Sequence, residues 1–439
     1  DGVSNVEFNG GLIDLSKISA TDRNKAVAIA VKDTDLKSSG NINTAENGIV
    51  FYAKGGTTNI SGGTIELDKD NSIGLALQSV GSGKFTGTGA TFNIDGDGVI
   101  LFHLKDSLGI KDDFTVNIAS GSNYRYADMT NSSFTFDKSF NIEDNINFIV
   151  ADSSAVLLDG NSDINSTGTG NIGVYAKGTA VPNVLSSLGV SDEITNKGKI
   201  RLGDSSTGVY AENGAKVLND TNGIITVGDN SQGIYAKNSG SIVNKGEITT
   251  GSSSIGIYLN GSGIATNSGD ITSTSDNAVG VYMDNQTNGF KNTGTITLTG
   301  ENSIGIYDTG SGIRTIENDG KIIVGDSLSA DSPSVGIYST DGDLTINHNA
   351  GAEITSGTNS IGIYAKNTKM NIKGKINTGD NGTGIYADSG SIVNIESSAE
   401  LNLGASNAAG VYALGGSTVN NHTSNITYPS DSYAFVLNS

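Results

Sequence analysis

The tripeptide Gly-(Ile/Val)-Tyr recurs along the chain, and that recurrence constrains the fold more than any other feature. Its tyrosines stand at 175, 210, 235, 258, 282, 307, 338, 364, 386 and 412. The gaps between them are 35, 25, 23, 24, 25, 31, 26, 22 and 26 residues. A fixed period of this size marks a solenoid, because one such coil cannot bury its apolar face alone and must stack on its neighbours. Counting back in steps of about 24 reaches Val150, Tyr126, Phe102, Ala76, Tyr52 and Ala28. Counting forward reaches Phe435. Each lies in an apolar run, so the rhythm extends through the chain in about 17 turns.

Three short strands are legible within one turn. Between 254 and 275 they are Ser254-Ile-Gly-Ile-Tyr-Leu259, Gly263-Ile-Ala-Thr-Asn267 and Gly269-Asp-Ile-Thr-Ser273. Each alternates apolar and polar residues, as a half-buried strand does. Gly, Asn, Ser and Asp separate them as turn residues. No run has a helical period. Gly makes up 61 of 439 residues and Pro only 3, a mixture suited to short strands and tight turns. The expected fold is all-β, a right-handed parallel β-helix with three short strands in each rung of about 24 residues.

Stacked rungs turn each position into a column. The residue before each tyrosine is Val174, Val209, Ile234, Ile257, Val281, Ile306, Ile337, Ile363, Ile385 or Val411, so that column points inward. The residue after it is Ala176, Ala211, Ala236, Leu259 or Met283, also inward. Alternation then turns the tyrosines outward beside Lys177, Glu212, Lys237, Asn260 and Asp284. Tyr175, Tyr210, Tyr235, Tyr258, Tyr282 and Tyr307 thus form an exposed ladder in this reading. It is either rung-to-rung stabilisation or an aromatic platform for a sugar or protein partner. Asn196, Asn244, Asn267, Asn292 and Asn318, each in Asn-x-Gly, read as a structural amide ladder.

Departures from the repeat are where function is sought. Residues 1–150 form an irregular region holding ten of the twelve phenylalanines, and 151–439 hold the regular rungs. Loop inserts are expected near 178–192 and 325–334, carrying Pro182 and Pro333. Arg125 between Tyr124 and Tyr126 is the local candidate for a contact patch, since Tyr and Arg favour interfaces.

Catalytic motifs are weak. Gly325-Asp-Ser-Leu328 spells a serine-esterase block, but Gly203-Asp-Ser205, Gly228-Asp-Asn230 and Gly379-Asp-Asn381 occupy the same turn of other rungs. Histidines stand only at 103, 348 and 422, and no Asp-x-x-His follows the block. A polysaccharide-cleaving β-helix needs clustered carboxylates beside Lys or Arg. The repeat columns are instead Ser, Thr, Asn and Gly, and arginine occurs only at 23, 125, 201 and 314. Asp68-Lys-Asp-Asn-Ser72 and Asp95-Gly-Asp97 read as calcium ligands or as surface turns, and match no complete calcium motif. The expectation is no enzyme, no cofactor and no metal.

A formal charge of −20 disfavours nucleic acid and anionic membranes. The absence of cysteine excludes disulfides and suits export through an oxidising compartment. The longest apolar run, Val99–Leu104, is too short to span a bilayer, and Asp1-Gly-Val-Ser4 is no signal peptide. We therefore expect a fragment or processed form.

Ser360-Ile-Gly-Ile-Tyr-Ala-Lys-Asn367 and Ser241-Ile-Val-Asn-Lys-Gly-Glu-Ile248 closely resemble the passenger repeats of large type V autotransporter adhesins, the fusobacterial ones in particular. The close likeness covers about 165–425, and 1–150 match in rhythm only. The resemblance implies a monomeric passenger displayed extracellularly on the bacterial surface, anchored by an outer-membrane barrel outside this sequence. It implies attachment to a host cell-surface glycan, a receptor protein or partner bacteria. No family binding motif maps onto individual residues here. The alternatives are a non-binding stalk and a polysaccharide-degrading enzyme such as a tailspike.

Overall fold

The computed structural model describes residues 4–18, 26–340 and 343–438. The chain divides into two compact units, Asp1–Gly203 and Asp204–Ser439. Each is a right-handed parallel β-helix, and each turn gives one strand to each of three parallel sheets. In the second unit one turn comprises Ile255–Asn260, Ile264–Asn267 and Asp270–Ser273, close to the sequence reading. The first sheet carries the Gly-(Ile/Val)-Tyr strands, in register as Ile257 opposite Val281 and Tyr258 opposite Tyr282.

The core is a set of aliphatic columns. Val209, Ile234, Ile257, Val281, Ile306, Ile337, Ile363, Ile385 and Val411 are all fully buried. Ile225, Ile248, Ile271, Ile296, Ile322, Ile354 and Ile376 face them from the third sheet and are equally buried. Each such side chain contributes roughly 1.5–3 kcal/mol relative to exposure. The repeat glycine follows from this packing. A Cβ on Gly280 would stand 2.5 Å from the Gly305 carbonyl oxygen and 2.6 Å from Ile296 Cγ2. Gly280→Ala should therefore force the first and third sheets apart, at about 1–3 kcal/mol. Thermal melting and protease susceptibility of the second unit would check this; an unchanged melt would refute it.

Polar columns are paired along the stack. Asn219 donates to Asn244 (2.7 Å), Asn244 to Asn267 (2.8 Å), Asn267 to Asn292 (2.9 Å) and Asn292 to Asn318 (2.9 Å). All five are fully buried, so the amide ladder is structural. Asn196 lies in the first unit, where its Oδ1 accepts the Gly198 N–H. A serine column runs beside the turns: the Ser206 N–H donates to Ser231 Oγ and the Ser231 N–H to Ser254 Oγ, both at 3.0 Å.

The first unit departs from this plan where its strands lengthen. Phe85–Ile94 pairs with Thr58–Ile60 along its first half and with Thr64–Leu67 along its second, merging two sheets into one. Ile110–Ile118 continues that broad surface. The wider rungs are filled by a cluster of Phe85, Phe92, Phe102, Phe114, Phe134, Phe136, Phe140 and Phe148, in contact ring to ring.

Two expectations need correction. Counting in equal steps missed the tyrosine column in several rungs. The column runs Ala30, Tyr52, Ala76, His103, Asp128, Val150, Tyr175 in the first unit, and ends on Val436 in the second. From Ala30 to Tyr175 neighbouring members lie between 22 and 27 residues apart, so a fixed step drifts off phase. The insert near 178–192 does not bulge free. Pro182–Ser186 forms a single helical turn with Pro182 at its start. Val184 is buried against Ala155 and Ala180, with Leu108, Leu185, Leu188 and Val190 around it. The apolar residues of the insert fold it down. The insert near 325–334 does project, with Leu328 exposed.

Candidate functional site

The contact patch expected at Tyr124, Arg125 and Tyr126 does not exist as drawn. Tyr124 and Tyr126 are 1% and 0% exposed and face the phenylalanine cluster. Their strand, Tyr124–Thr130, keeps the register of its neighbours: Asp128 occupies the outward column, and Tyr126 takes the inward place that Gly74 holds two rungs earlier. Arg125 does point outward, where it pairs with Asp128 at 2.5 Å.

Those inward tyrosines build something else. Asp112 stands on the apolar phase of its strand, between Ile110 and Phe114, and is 3% exposed. Tyr126 Oη donates to its two oxygens at 2.9 and 3.1 Å. Lys138 Nζ donates at 2.6 Å and the Phe114 N–H at 3.2 Å. Burial pushes the Asp112 carboxyl above its ordinary value, while Lys138 and the hydrogen bonds pull it back down. Burial and the Asp112 charge hold the Tyr126 phenol firmly protonated. A buried carboxylate so fully bonded is a rigid anchor.

The anchor opens onto a surface groove lined by Phe85, Thr86, Gly87, Thr88, Lys111, Asp112, Asp113 and Asp137. Lys111 and Asp113 flank Asp112 on its strand and point outward. Lys111 Nζ meets Asp137 at 2.6 Å, and that pairing strengthens its hold on its proton. Gly87 lies opposite Asp112, and a Cβ there would run into Phe114 Cζ at 2.5 Å. The groove floor is therefore backbone and rings, and its rim holds two carboxylates, one ammonium and two hydroxyls. Such a rim supplies both donors and acceptors to a hydroxyl-rich ligand. Carboxylates thus do gather beside lysines at these broad rungs, on the strand Ile110–Ile118 and on the turn at Asp137 and Lys138, outside the repeat columns. The sequence signal was an aspartate on the inward phase of Ile-Lys-Asp-Asp-Phe. It went unread because only the regular rungs were aligned into columns.

The tyrosine ladder is outward but half-buried, because each ring covers the next. From Tyr210 to Tyr412 successive ring centres are 4.7–5.3 Å apart. Rungs about 4.8 Å apart and rings about 3.5 Å thick fit only if every ring tilts by roughly 45°. Two tilt senses satisfy that geometry. Most neighbours share one, with interplanar angles of 5–20°. The sense reverses at Tyr258/Tyr282 (84°) and Tyr307/Tyr338 (76°). A sugar platform needs free ring faces, and these faces are spent on each other. Tyr175, in the first unit, is half-buried over Val150.

Remaining candidates are turns. Asp326 Oδ1 accepts the Thr358 N–H at 2.6 Å. Ser327 Oγ accepts the Ser334 N–H at 2.7 Å and bonds Ser360. The esterase-like block thus belongs to the turn and serine columns, and it closes the loop carrying the half-buried Pro333. Pro182 is exposed at the start of its helical turn. Asp70 Oδ1 accepts the Asp97 N–H and Asp97 Oδ1 the Asn123 N–H, so the calcium-like segments are turn caps. Among the described residues no group of three or more His, Cys, Asp or Glu is placed to hold a metal ion. No helix among them is long and apolar enough to cross a membrane.

Three parallel sheets with internally paired columns define a right-handed parallel β-helix of the repeat-protein class. The chain belongs to the family described as the BigA third pectate lyase-like domain, whose model matches residues 4–291. This is a domain of bacterial surface proteins, which indicates a cell-surface or extracellular location. No curated protein and no solved structure gives a significant match.

Proposed function

We propose that this chain is a displayed segment of a bacterial surface adhesin. Its first unit attaches to an uncharged cell-surface glycan through the groove of Lys111, Asp113 and Asp137, and its second unit serves as stalk. The observation that carries this reading is the contrast between the units. In the second, the tyrosine faces and asparagine amides are consumed rung to rung. In the first, a buried Asp112–Lys138 anchor stiffens a groove whose rim groups face solvent. The acidic charge of the chain supports an uncharged rather than an anionic glycan. In this reading the segment is an exported passenger, monomeric, each rung templating the next.

The test is binding of the intact chain to epithelial cells and to a glycan array. Lys111→Ala and Asp113→Ala should each weaken binding about 10- to 100-fold, the worth of a charge-assisted hydrogen bond. Substituting Tyr338, Tyr364 and Tyr386 together with serine should leave binding unchanged while lowering the melting temperature. Groove variants that bind like the parent would overturn the site, and an intact chain that binds nothing would make the segment a stalk alone. The family description and the Lys–Asp pairs favour one second reading, a polysaccharide-cleaving enzyme. Release of new sugar ends from an uncharged polysaccharide would put that reading in place of the first.

A further inference from the structure

The chain contains no cysteine and no tryptophan, and its three methionines, Met129, Met283 and Met370, are buried. One-electron oxidants that reach this protein therefore act first on tyrosine. Nine of the fifteen tyrosines stand in a single column of the second unit, each in ring contact with the next. That arrangement puts phenols at a local concentration no free solution reaches.

We infer that the ladder is an oxidative cross-linking site, where Tyr258 and Tyr282 join through a carbon–carbon bond between rungs when a peroxidase and hydrogen peroxide act on the protein. Each phenol gives up one electron and its hydroxyl proton, leaving two phenoxyl radicals. A bond forms between ring carbons ortho to the two oxygens. The hydrogen on each of those carbons then moves to oxygen and restores the aromatic rings. The pair has lost two electrons and two protons, which reduce one hydrogen peroxide to two waters at the peroxidase haem.

Geometry selects this pair from the nine. The two rings are 5.1 Å apart, centre to centre, and 84° apart in plane. The bond of a biaryl lies in both ring planes, with the planes twisted about it, so crossed rings reach that geometry by swinging edge to edge and closing slightly. The parallel pairs, such as Tyr235/Tyr258 at 7° and Tyr338/Tyr364 at 5°, lie face over face and must first unstack. Tyr307/Tyr338 shares the crossed geometry at 76°. It lacks the second feature of the chosen pair. Tyr258 Oη donates to Asp284 Oδ2 at 2.6 Å, and Asp284 is two residues beyond Tyr282. The carboxylate is thus placed to receive the phenolic proton as the electron leaves. Burial and Asp284 hold that phenol protonated until then. Asn260 Nδ2 donates to the same oxygen at 2.9 Å and fixes the carboxylate in place.

The product ties Ile255–Asn260 to Val279–Asp284, strands that hydrogen bonds already hold in register. It would let the second unit harden under oxidative attack.

The experiment treats the intact chain, at low concentration, with horseradish-type peroxidase and hydrogen peroxide. Readouts are dityrosine fluorescence in the monomer band, loss of two hydrogens by mass, and peptide mapping. The expected result is an intramolecular cross-link mapping to 258–282. Tyr258→Phe, which keeps the ring stack, should cut the monomer yield several-fold more than Tyr210→Phe. Asp284→Asn should slow the reaction with the melt unchanged. Cross-links found only between chains, or only at the exposed Tyr428 and Tyr433, would overturn the proposal. So would a Tyr258→Phe yield equal to the parent's.

Discussion

Replacing Arg314 with methionine is expected to destabilise the second unit by about 3–5 kcal/mol. Arg314 and Asp308 have fully buried side chains. The guanidinium donates from Nε to Asp308 Oδ1 at 2.9 Å and from Nη2 to Oδ2 at 2.5 Å. Its Nη1 donates to the Gly312 carbonyl at 2.7 Å, and Ser339 Oγ donates to Asp308 Oδ2 at 3.0 Å. Removing the arginine leaves a carboxylate in an apolar core, which costs far more than the pair itself contributes. The double substitution Asp308→Ala with Arg314→Met should therefore recover most of the loss. Alanine is what the same column holds at 211, 236, 365 and 387. Thermal melting, with hydrogen exchange across Ile304–Thr309, reads both. A single variant as stable as the double would refute the account.

The second large effect concerns pH. His348 ends the buried amide ladder: Asn318 Nδ2 donates to its Nδ1 at 3.1 Å, and its Nε2–H donates to the Lys375 carbonyl at 3.0 Å. It is fully buried, and that burial lowers its pKa from 6.5 to about 4. Between those values the unfolded chain holds a proton on this histidine and the folded chain does not. Stability from this residue is therefore whole above pH 6.5 and falls as pH drops towards 4. The whole effect is worth about 3 kcal/mol. His348→Asn continues the ladder with a group that does not titrate. The gap in stability between the two proteins should shift by that amount across the window, and a constant gap would show that His348 is solvated.

Both effects come from residues that the repeat hides. Asp308 and Arg314 sit on inward phases, like Asp112, and each was legible as a polar residue on an apolar beat. Their partners were not. Asp112 meets Lys138, 26 residues on, because a broad rung sets them side by side. Asp308 meets Arg314 across a bend of the same turn. Sequence spacing cannot give such distances where rung length varies.

What the sequence determined by itself is the solenoid. Strands of period two, spaced by turn residues at a near-constant interval, can bury their apolar face only by stacking, so the sheets, the aliphatic columns and the buried asparagines follow. What tertiary structure alone decided is the phase of each irregular rung and the state of each outward ring. Tyr124 and Tyr126 turned inward because the wide aromatic rungs needed filling. The ladder tyrosines turned outward yet covered one another, because the distance between rungs leaves room for a tilted stack and for nothing between the rings. The polar groove formed where two sheets merged, a junction that no single repeat encodes.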